Sequence, residues 1–169
     1  MTVDVICLTN TKSEKYYNLT NQTLRTLIKS EKNIHFNINL IESNRYTNSK
    51  YDFPNLNYIV PEEHFNYNRF LNIGLKSCTN EWVLIINNDI SFTEGWLSEI
   101  LKEHELNPHV KSFSPFDPIA AKKHYPHLYK DGNLYTGYKT PVELMGWCIF
   151  VKKEVLDQIG GFDEQFDFW

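Results

Sequence analysis

The sequence predicts an α/β fold with a mixed, mostly parallel central sheet flanked by helices. Short apolar runs alternate with segments of helical spacing through the first hundred residues, a pattern that gives a parallel sheet covered by helices. Several of these runs are rich in β-branched residues and nearly continuous, as in strands buried on both faces. A length of 169 residues is typical of one domain with one core.

The first half of the chain contains three predicted strands and two predicted helices. Residues 3–8 form the first strand, and Ser13 is the candidate N-cap of the helix that follows. Residues 36–41 alternate apolar residues with asparagine, which predicts a second strand. Residues 57–60 are a short strand ended by a proline, and residues 70–75 belong to the next helix.

The second half begins with residues 82–86, the strongest strand pattern in the chain. Thr93 is the candidate cap of the next helix, which has apolar residues on one face. Residues 145–151 regain strand character, and residues 153–159 form a short helix. Gly160 is expected to end that helix, because glycine tolerates a left-handed backbone.

Charge and composition exclude several classes of protein. The net charge of -4 comes without a block of one sign, so a nucleic-acid partner is not expected. No apolar run is long enough to cross a membrane, and three scattered cysteines are typical of a reducing compartment. We therefore expect a cytoplasmic protein without a transmembrane segment. Abundant Asn, Lys and Ile are typical of AT-rich genomes, and for a virus the compartment would be the host cytoplasm.

Polar residues follow the predicted strands at their carboxyl ends, where open α/β sheets bind their ligands. Thr9 and Asn10 follow the first strand, Glu42 and Asn44 follow the second, and residues 87–89 follow the strongest one. The glycine-rich patterns of dinucleotide and P-loop sites are both missing. A bound diphosphate would therefore need another source of positive charge.

Asp89 can supply that charge indirectly, by holding a hard divalent cation that bridges to phosphate oxygens. The alternative interpretation is that Asn88 and Asp89 are only a polar turn after a buried strand. Two neighbouring histidines, His124 and His127, lie in a long segment with little periodicity. A metal site needs more ligands than these two, so they are interpreted as solvent-exposed.

An ordered set of segments, spanning nearly the entire chain, resembles the family-2 glycosyltransferases of the A-type fold. The matching segments are residues 5–10, 42–44, 68–75, 82–89, 146–156 and 160–166. In order, they look like the family's first strand, the base-binding end of its second strand, the helix before its metal motif, the strand that carries its Asp-x-Asp signature and, in two pieces, its acceptor-side segment. The resemblance implies the nucleotide-diphospho-sugar transferase fold, here short at its C-terminal end.

The resemblance implies an enzyme that moves a sugar, with inversion, from a UDP, GDP or dTDP donor to a hydroxyl group. The acceptor would be a glycan, a protein or a lipid-linked saccharide, and the cofactor Mn²⁺ or Mg²⁺. Asp89 matches the second acid of the signature, the metal ligand. Asn87 stands where the first acid usually lies and brings no charge, so metal affinity is expected to be lower. Similar Asn-Asn-Asp variants point to a rhamnosyltransferase-like subgroup.

Other roles are carried over by position. The donor-binding candidates are Thr9, Asn10, Glu42, Asn44, Arg69, Asn87 and Asn88. The acceptor-side candidates are Gly146, Trp147, Asp163 and Glu164. Three alternatives stay open: Glu42 as an exposed strand-end acid, Arg69 in a surface salt bridge, and Trp147 as a core aromatic.

The resemblance places the catalytic base just beyond Trp169, with Asp167 as a candidate within the chain. Residues 1–169 then form a single domain, in which residues 1–90 are the nucleotide-binding half and residues 91–169 the acceptor-side half. A sugar nucleotidyltransferase is disfavoured because its glycine-rich basic loop is missing. The alternative from another class is a non-catalytic sugar-nucleotide or glycan-binding module, which Asn87 and the missing base favour.

Overall fold

The computed structural model describes residues 1–117, 123 and 145–166. The strands are β1 (Thr2–Thr9), β2 (His35–Glu42), β3 (Leu56–Ile59), β4 (Trp82–Ile86), β5 (Ser112–Phe113) and β6 (Cys148–Lys152). The helices in this part of the chain are α1 (Glu14–Ser30), α2 (Tyr67–Lys76), α3 (Trp96–Leu106) and α4 (Lys153–Ile159). His124, His127 and Asp167 lie outside the described residues.

The strands form one sheet in the order β3-β2-β1-β4-β6-β5. The first four strands in this order are parallel, whereas β6 is antiparallel to both β4 and β5. The prediction of a mixed, mostly parallel sheet is confirmed. Because β1, β2 and β4 run in the same direction, the loops that follow them leave the sheet at one edge, which we call the carboxyl edge.

Helices cover both faces of the sheet, and each face has its own apolar core. Alternate residues of β4 point to opposite faces, which explains why this strand is apolar without interruption. Helices α1 and α3 pack on one face, and helices α2 and α4 pack on the other. The first core includes Val5, Leu24, Leu27, Leu84 and Leu97, and the second includes Ile6, Phe70, Leu71, Val83 and Leu156.

Helix α2 approaches the sheet very closely at Gly74. A Cβ atom added to Gly74 would lie 2.7 Å from Cγ2 of Ile6 on β1, so only glycine fits at this contact without a shift of the helix or the strand. The first turn of α2 lies at the carboxyl edge, because the helix follows β3. This contact therefore sets the position of α2 relative to the loops of the carboxyl edge.

The helix ends differ in part from those expected. Ser13 occupies the N-cap position of α1, but its side chain makes no capping hydrogen bond. The prediction of Thr93 as a cap is wrong, since Gly95 is the N-cap of α3. The carboxylate of Glu31, at the end of α1, accepts hydrogen bonds from the backbone of Leu97 and Ser98 at 2.7 and 3.0 Å. A residue from another element thus caps this helix.

The remaining predicted boundaries agree with the structure to within a few residues. The strand expected at residues 145–151 is β6, which begins at Cys148 because Gly146 and Trp147 form a turn. The helix expected at residues 153–159 is α4, and Gly160 ends it with φ of 78°. Within the described residues, no helix is both long enough and apolar enough to cross a bilayer.

Candidate functional site

The loops after β1, β2 and β4 meet at the carboxyl edge of the sheet. Thr9 is in register with Glu42, and Ile86 at the end of β4 pairs with Cys7. The side-chain amide of Asn88 donates a hydrogen bond to Oγ1 of Thr9 at 3.3 Å. Three of the predicted donor-binding residues are therefore neighbours: two end β1 and β2, and one lies in the loop after β4.

Buried hydroxyl groups fix the start of the loop after β1. Thr9 and Thr20 are buried, and their hydroxyl oxygens lie 2.9 Å apart. Asn88 also donates to Oγ1 of Thr20 at 3.0 Å. The side chain of Thr11 hydrogen-bonds to the hydroxyl of Tyr51 at 2.7 Å. These bonds join β1, α1 and the loop after β4 in one polar network, so the edge has a defined shape.

Glu42 is fully buried at this edge. Its Oε1 accepts hydrogen bonds from the backbone N–H groups of Thr11 and Asn44, at 3.0 and 2.7 Å. Glu42 is therefore not the exposed acid of the alternative interpretation. Its carboxylate connects the loops after β1 and β2 through these hydrogen bonds. Its Oε2 is buried and has no hydrogen-bond partner among the described residues. Burial, followed by the charges of Glu42 and Tyr51, raises the pKa of Tyr58, so its hydroxyl stays protonated.

The other two predicted base-pocket residues differ in their surroundings. Asn44 is half-buried, and its amide donates to the carbonyl oxygen of Thr11 at 2.6 Å while its Oδ1 accepts from the backbone of Tyr46 at 3.1 Å. Asn10 is exposed, in a turn in which the N–H of Lys12 donates to its carbonyl oxygen at 2.9 Å. Asn44 thus supports the loop, whereas Asn10 presents its side chain to solvent.

Asn87 and Asp89 are both exposed beyond the end of β4. The backbone N–H of Asn87 donates to the carbonyl oxygen of Trp147 at 2.9 Å and so extends the pairing with β6. Among the described residues, Asp89 makes no hydrogen bond and no ion pair. Burial, and secondly the nearby charge of Asp89, raise the pKa of Cys7 to about 12. The carboxylate of Asp89 therefore lies near Cys7, toward the carboxyl end of β1.

The donor atoms at this site decide which kind of divalent cation site it could form. Within the part of the chain that is described, no three His, Cys, Asp or Glu residues cluster as a metal site would require. Mg²⁺ bound with substrate phosphates needs only one or two protein carboxylates and keeps several waters. The free carboxylate of Asp89 fits that kind of site, in which a diphosphate supplies further oxygen ligands, and does not fit an all-protein metal cage.

Arg69 lies in the first turn of α2 and pairs with Glu164. Its Nε is 3.0 Å from Oε2 of Glu164, and both side chains are about two-fifths exposed, at 39% and 42%. The side chain of Asn72 donates to Oε1 of the same carboxylate at 2.9 Å. Hydrogen bonds from Asn72 and Arg69, in that order, lower the pKa of Glu164. The structure thus shows Arg69 in the salt bridge that the sequence left as an alternative.

Helix α2 holds residues 161–166 along one side, through side chains that sequence analysis did not assign. The amide of Asn72 pairs with the backbone of Phe162 in both directions, each at 2.8 Å. Asn68 donates to the carbonyl of Asp163 at 2.7 Å, and Asn66 donates to that of Glu164 at 3.2 Å. Asparagine is unfavourable in helix interiors. Its repetition in this helical segment was therefore the signal that these side chains bind another part of the chain.

The predicted acceptor-side residues are divided between two places. Gly146 and Trp147 form the turn before β6, where Trp147 is half-buried and packs against the first core, as the alternative interpretation proposed. Asp163 and Glu164 lie in the segment held by α2, and Oδ1 of Asp163 accepts from the backbone of Gln165 at 2.9 Å. The carbonyl oxygen of Trp147 accepts a hydrogen bond from the backbone of Asn87 at the carboxyl edge, whereas Glu164 pairs with Arg69 in the first turn of α2.

A cavity of about 560 Å³ lies elsewhere, at the start of β4 and the end of β6. Thr79, Asn80, Lys152 and Asp157 are among its lining residues. This is the amino edge of β4, opposite to the predicted ligand edge. None of the predicted site residues in the described part of the chain lines this cavity.

The fold is an α/β protein with a mostly parallel sheet, and its polar loop residues gather at the carboxyl edge, where open α/β sheets bind their ligands. The model of the family described as glycosyl transferase family 2 matches residues 16–160. Since that match covers most of the chain, this protein belongs to glycosyl transferase family 2.

Solved structures agree with the family. The mannosyltransferase PcManGT from Pyrobaculum calidifontis, in complex with GDP-Man and Mn²⁺, is 17% identical with a TM-score of 0.67 over 96% of this chain and 47% of its own. TarS 1-349 from S. aureus is 12% identical with a TM-score of 0.64, over 99% of this chain and 52% of its own. At these identities the similarity establishes the fold, which is that of the A-type nucleotide-diphospho-sugar transferases.

A further structure is of TarS 1-349 in complex with UDP-GlcNAc, with 21% identity and a TM-score of 0.50 over 66% of this chain and 33% of its own. The chain spans about half the length of the first two structures. No curated protein sequence matches it significantly.

Proposed function

We propose that this chain binds a nucleotide diphosphate sugar and contributes to the transfer of the sugar, with inversion, to an acceptor hydroxyl. Membership of glycosyl transferase family 2 supports the reaction class. The observation that carries the proposal for this chain is Asp89, an exposed and unpaired carboxylate that follows β4 at the carboxyl edge. We further propose that residues 1–90 bind the donor and residues 91–169 face the acceptor.

The donor would lie across the carboxyl edge of the sheet. Thr9, Asn10, Glu42 and Asn44 surround the position proposed for the base and ribose. Oε2 of Glu42 lies near the Tyr58 hydroxyl but makes no well-aligned hydrogen bond within the described residues, and it can accept one from the donor if the loops part slightly. Two similar structures contain GDP-Man and UDP-GlcNAc, and the family resemblance adds dTDP, so UDP, GDP and dTDP donors are all proposed.

Asp89 would hold Mn²⁺ or Mg²⁺ together with the diphosphate. When bound, such a cation stabilises the negative charge that builds on the departing diphosphate. Asn87 adds an uncharged amide oxygen beside it, and Asn88 keeps the loop in place through Thr9 and Thr20. The Asn-Asn-Asp motif is also the reason for proposing a rhamnosyltransferase-like subgroup.

The acceptor would approach from the side of Trp147 and of the segment held by α2. Gly146, Asp163 and Glu164 are proposed to line that approach. Inversion requires a base that takes the proton of the acceptor hydroxyl on the opposite face of the sugar. Asp167, which lies outside the described residues, is a candidate for that base.

The proposal is tested by titration calorimetry with UDP-, GDP- and dTDP-sugars, with and without Mn²⁺. We expect binding that strengthens with Mn²⁺ and loses this dependence in Asp89→Asn, which removes the charge and keeps the shape. Glu105→Gln is the matched control, because Glu105 is also exposed but lies on α3. If the native chain binds no nucleotide with any metal, the proposed function is wrong. If Asp89→Asn keeps the metal dependence, Asp89 is not the ligand.

A non-catalytic sugar-nucleotide or glycan-binding module is the second candidate, and the uncharged Asn87 favours it. Incubation of the chain with a bound nucleotide sugar separates the two hypotheses. Release of free sugar, or its transfer to an added glycan, supports the enzyme. Binding without hydrolysis or transfer supports the module or a truncated enzyme.

A further inference from the structure

Three threonines follow one another on one side of helix α1. They are Thr20, Thr23 and Thr26, and residues three apart in sequence are neighbours on the surface of a helix. Thr20 and Thr23 are fully buried, and a buried hydroxyl group is unfavourable unless it is hydrogen-bonded. We call these three residues the threonine row. The partners of its hydroxyl groups outside α1 show which part of the molecule this side of the helix holds.

The threonine row binds the loop that follows β4. Oγ1 of Thr20 accepts a hydrogen bond from the side-chain amide of Asn88 at 3.0 Å. The hydroxyl of Thr23 accepts one from the backbone N–H of Ile90 at 3.1 Å and donates one to the carbonyl oxygen of the same residue at 2.7 Å. Both backbone groups of Ile90 are therefore held by one buried side chain.

Every second residue of this loop is turned towards α1. The backbone N–H of Phe92 donates to Oγ1 of Thr26 at 3.3 Å, so the contacts of the threonine row fall on residues 88, 90 and 92. Those three residues are half-buried, whereas Asp89 and Ser91 between them are exposed. Holding alternate residues against the helix thus directs the residues between them towards solvent.

The two neighbours of Asp89 are both held by the threonine row. Asn88 precedes it, and the N–H of Ile90 belongs to the planar peptide bond that joins Asp89 to Ile90. Among the described residues, the carboxylate of Asp89 makes no hydrogen bond and no ion pair of its own. Its direction is therefore set by the backbone, and through the backbone by the hydroxyl groups of α1.

We propose that Thr23 is a positioning residue for the divalent cation that Asp89 would hold. This inference rests on the proposed function and adds a residue of α1 that no motif assigns. Thr23 touches neither the cation nor the diphosphate, and it acts only through the peptide bond after Asp89. Removal of a group that orients a metal ligand typically lowers metal affinity or activity tenfold to a hundredfold. A site with a single protein carboxylate depends on the direction of that carboxylate.

The test measures the affinity for UDP, GDP and dTDP by titration calorimetry, with and without Mn²⁺. The ratio of the two affinities is the metal gain. Thr23→Val keeps the shape of the side chain and removes the hydroxyl group. It is expected to lower the metal gain roughly tenfold and to leave the affinity without Mn²⁺ unchanged. Thr23→Ser keeps the hydroxyl group and is expected to show the metal gain of the native chain.

Ser30→Ala is the matched control. Ser30 is also a buried hydroxyl residue of α1, but its Oγ accepts a hydrogen bond from Nε1 of Trp96 on α3 at 3.0 Å. Its removal disturbs the packing of the same helix at α3 rather than at residues 88–92, so the metal gain is expected to stay unchanged. Thr23→Cys takes the place of the valine variant if that variant does not fold. A smaller loss is then expected, because a thiol forms weaker hydrogen bonds than a hydroxyl.

Other outcomes overturn the inference in distinguishable ways. If the native chain shows a metal gain and Thr23→Val or Thr23→Cys shows the same gain, the positioning role is wrong while the proposed function stands. An equal loss with and without Mn²⁺ would mean that the hydroxyl group supports the whole edge rather than the metal ligand. A loss in Thr23→Ser, or an equal loss in Ser30→Ala, would assign the effect to packing. If the native chain binds none of these nucleotides, the proposed function is wrong and this inference with it.

Discussion

At the scale of single residues, polar side chains of the same chemical type differ in burial and in hydrogen bonding at the carboxyl edge. Glu42 is buried and accepts two backbone hydrogen bonds, whereas Asp89 is exposed and makes none with the described residues. Asn88 bridges two threonines, while the side chain of Asn87 faces solvent. A buried carboxylate with protein partners shapes the edge, and a free one is available to a ligand.

The titration of Glu164 gives a prediction at this scale. Its pKa is lowered from 4.5, first by the hydrogen bond from Asn72 and then by that from Arg69. The contribution of this carboxylate to stability is therefore complete above pH 4.5 and is lost as the pH falls through the lower folded pKa. We expect a titration midpoint below 4.5 by NMR. Asn72→Ala is expected to raise it more than Arg69→Ala does.

A midpoint of Glu164 at its ordinary value in the native chain would contradict this prediction. In the native chain, amide hydrogen exchange of residues 161–166 is expected to become faster in acid. In Glu164→Gln this dependence on pH is expected to be absent.

At the scale of elements, α2 holds the segment that follows α4 through side-chain hydrogen bonds. Four side chains of this helix and its N-cap hold the backbone or the carboxylate of that segment. They are Asn66, Asn68, Arg69 and Asn72. The first turn of α2 lies at the carboxyl edge, so the segment proposed to face the acceptor is tied to the edge proposed to bind the donor.

Two consecutive glycines provide a matched test of this docking. Gly160 and Gly161 both have positive φ, of 78° and 83°. An added Cβ at Gly160 meets nothing within 4 Å, whereas one at Gly161 lies 2.7 Å from Oδ1 of Asn72. Gly160→Ala is expected to lower the free energy of unfolding by about 1–2 kcal/mol, the cost of a left-handed backbone. Gly161→Ala is expected to cost more and to free the amide of Phe162.

Urea denaturation measures the two costs, and amide hydrogen exchange reports on Phe162. In an Asn72→Ala background the obstacle to the new methyl group is gone. Gly161→Ala is then expected to cost no more than Gly160→Ala. If the two single variants are equally stable, the contact between Asn72 and this turn does not constrain the segment.

At the scale of the whole molecule, the close packing of α2 on the sheet sets the positions of the layers. Gly74→Ala would place a methyl group against Ile6, and overpacking of this kind costs about 1–3 kcal/mol. We expect a lower midpoint in thermal denaturation. Gly146→Ala is the control, because Gly146 is exposed and an added Cβ there meets nothing within 4 Å. Equal midpoints for the two variants would show that the helix moves away at little cost.

The fold class and the family both follow patterns that are visible in the sequence. The strands at residues 3–8 and 82–86 were predicted within one residue at each end, because near-continuous apolar runs bounded by polar turns are local signals. Polar residues at the strand ends predicted the carboxyl edge as the candidate site, and the structure brings Thr9, Glu42 and Asn88 together there. The roles of these residues toward a ligand stay predictions.

By itself, the sequence determined the α/β class, the order of most elements and the set of polar residues at the strand ends, since all three depend on residues close together in the chain. Only the tertiary structure decided which carboxylates are buried and which are free. It also decided that Glu31 caps α3 from 66 residues away, and that Arg69 pairs with Glu164 across 95 residues. Such partners are chosen by the packing of whole elements, for which local patterns carry no signal.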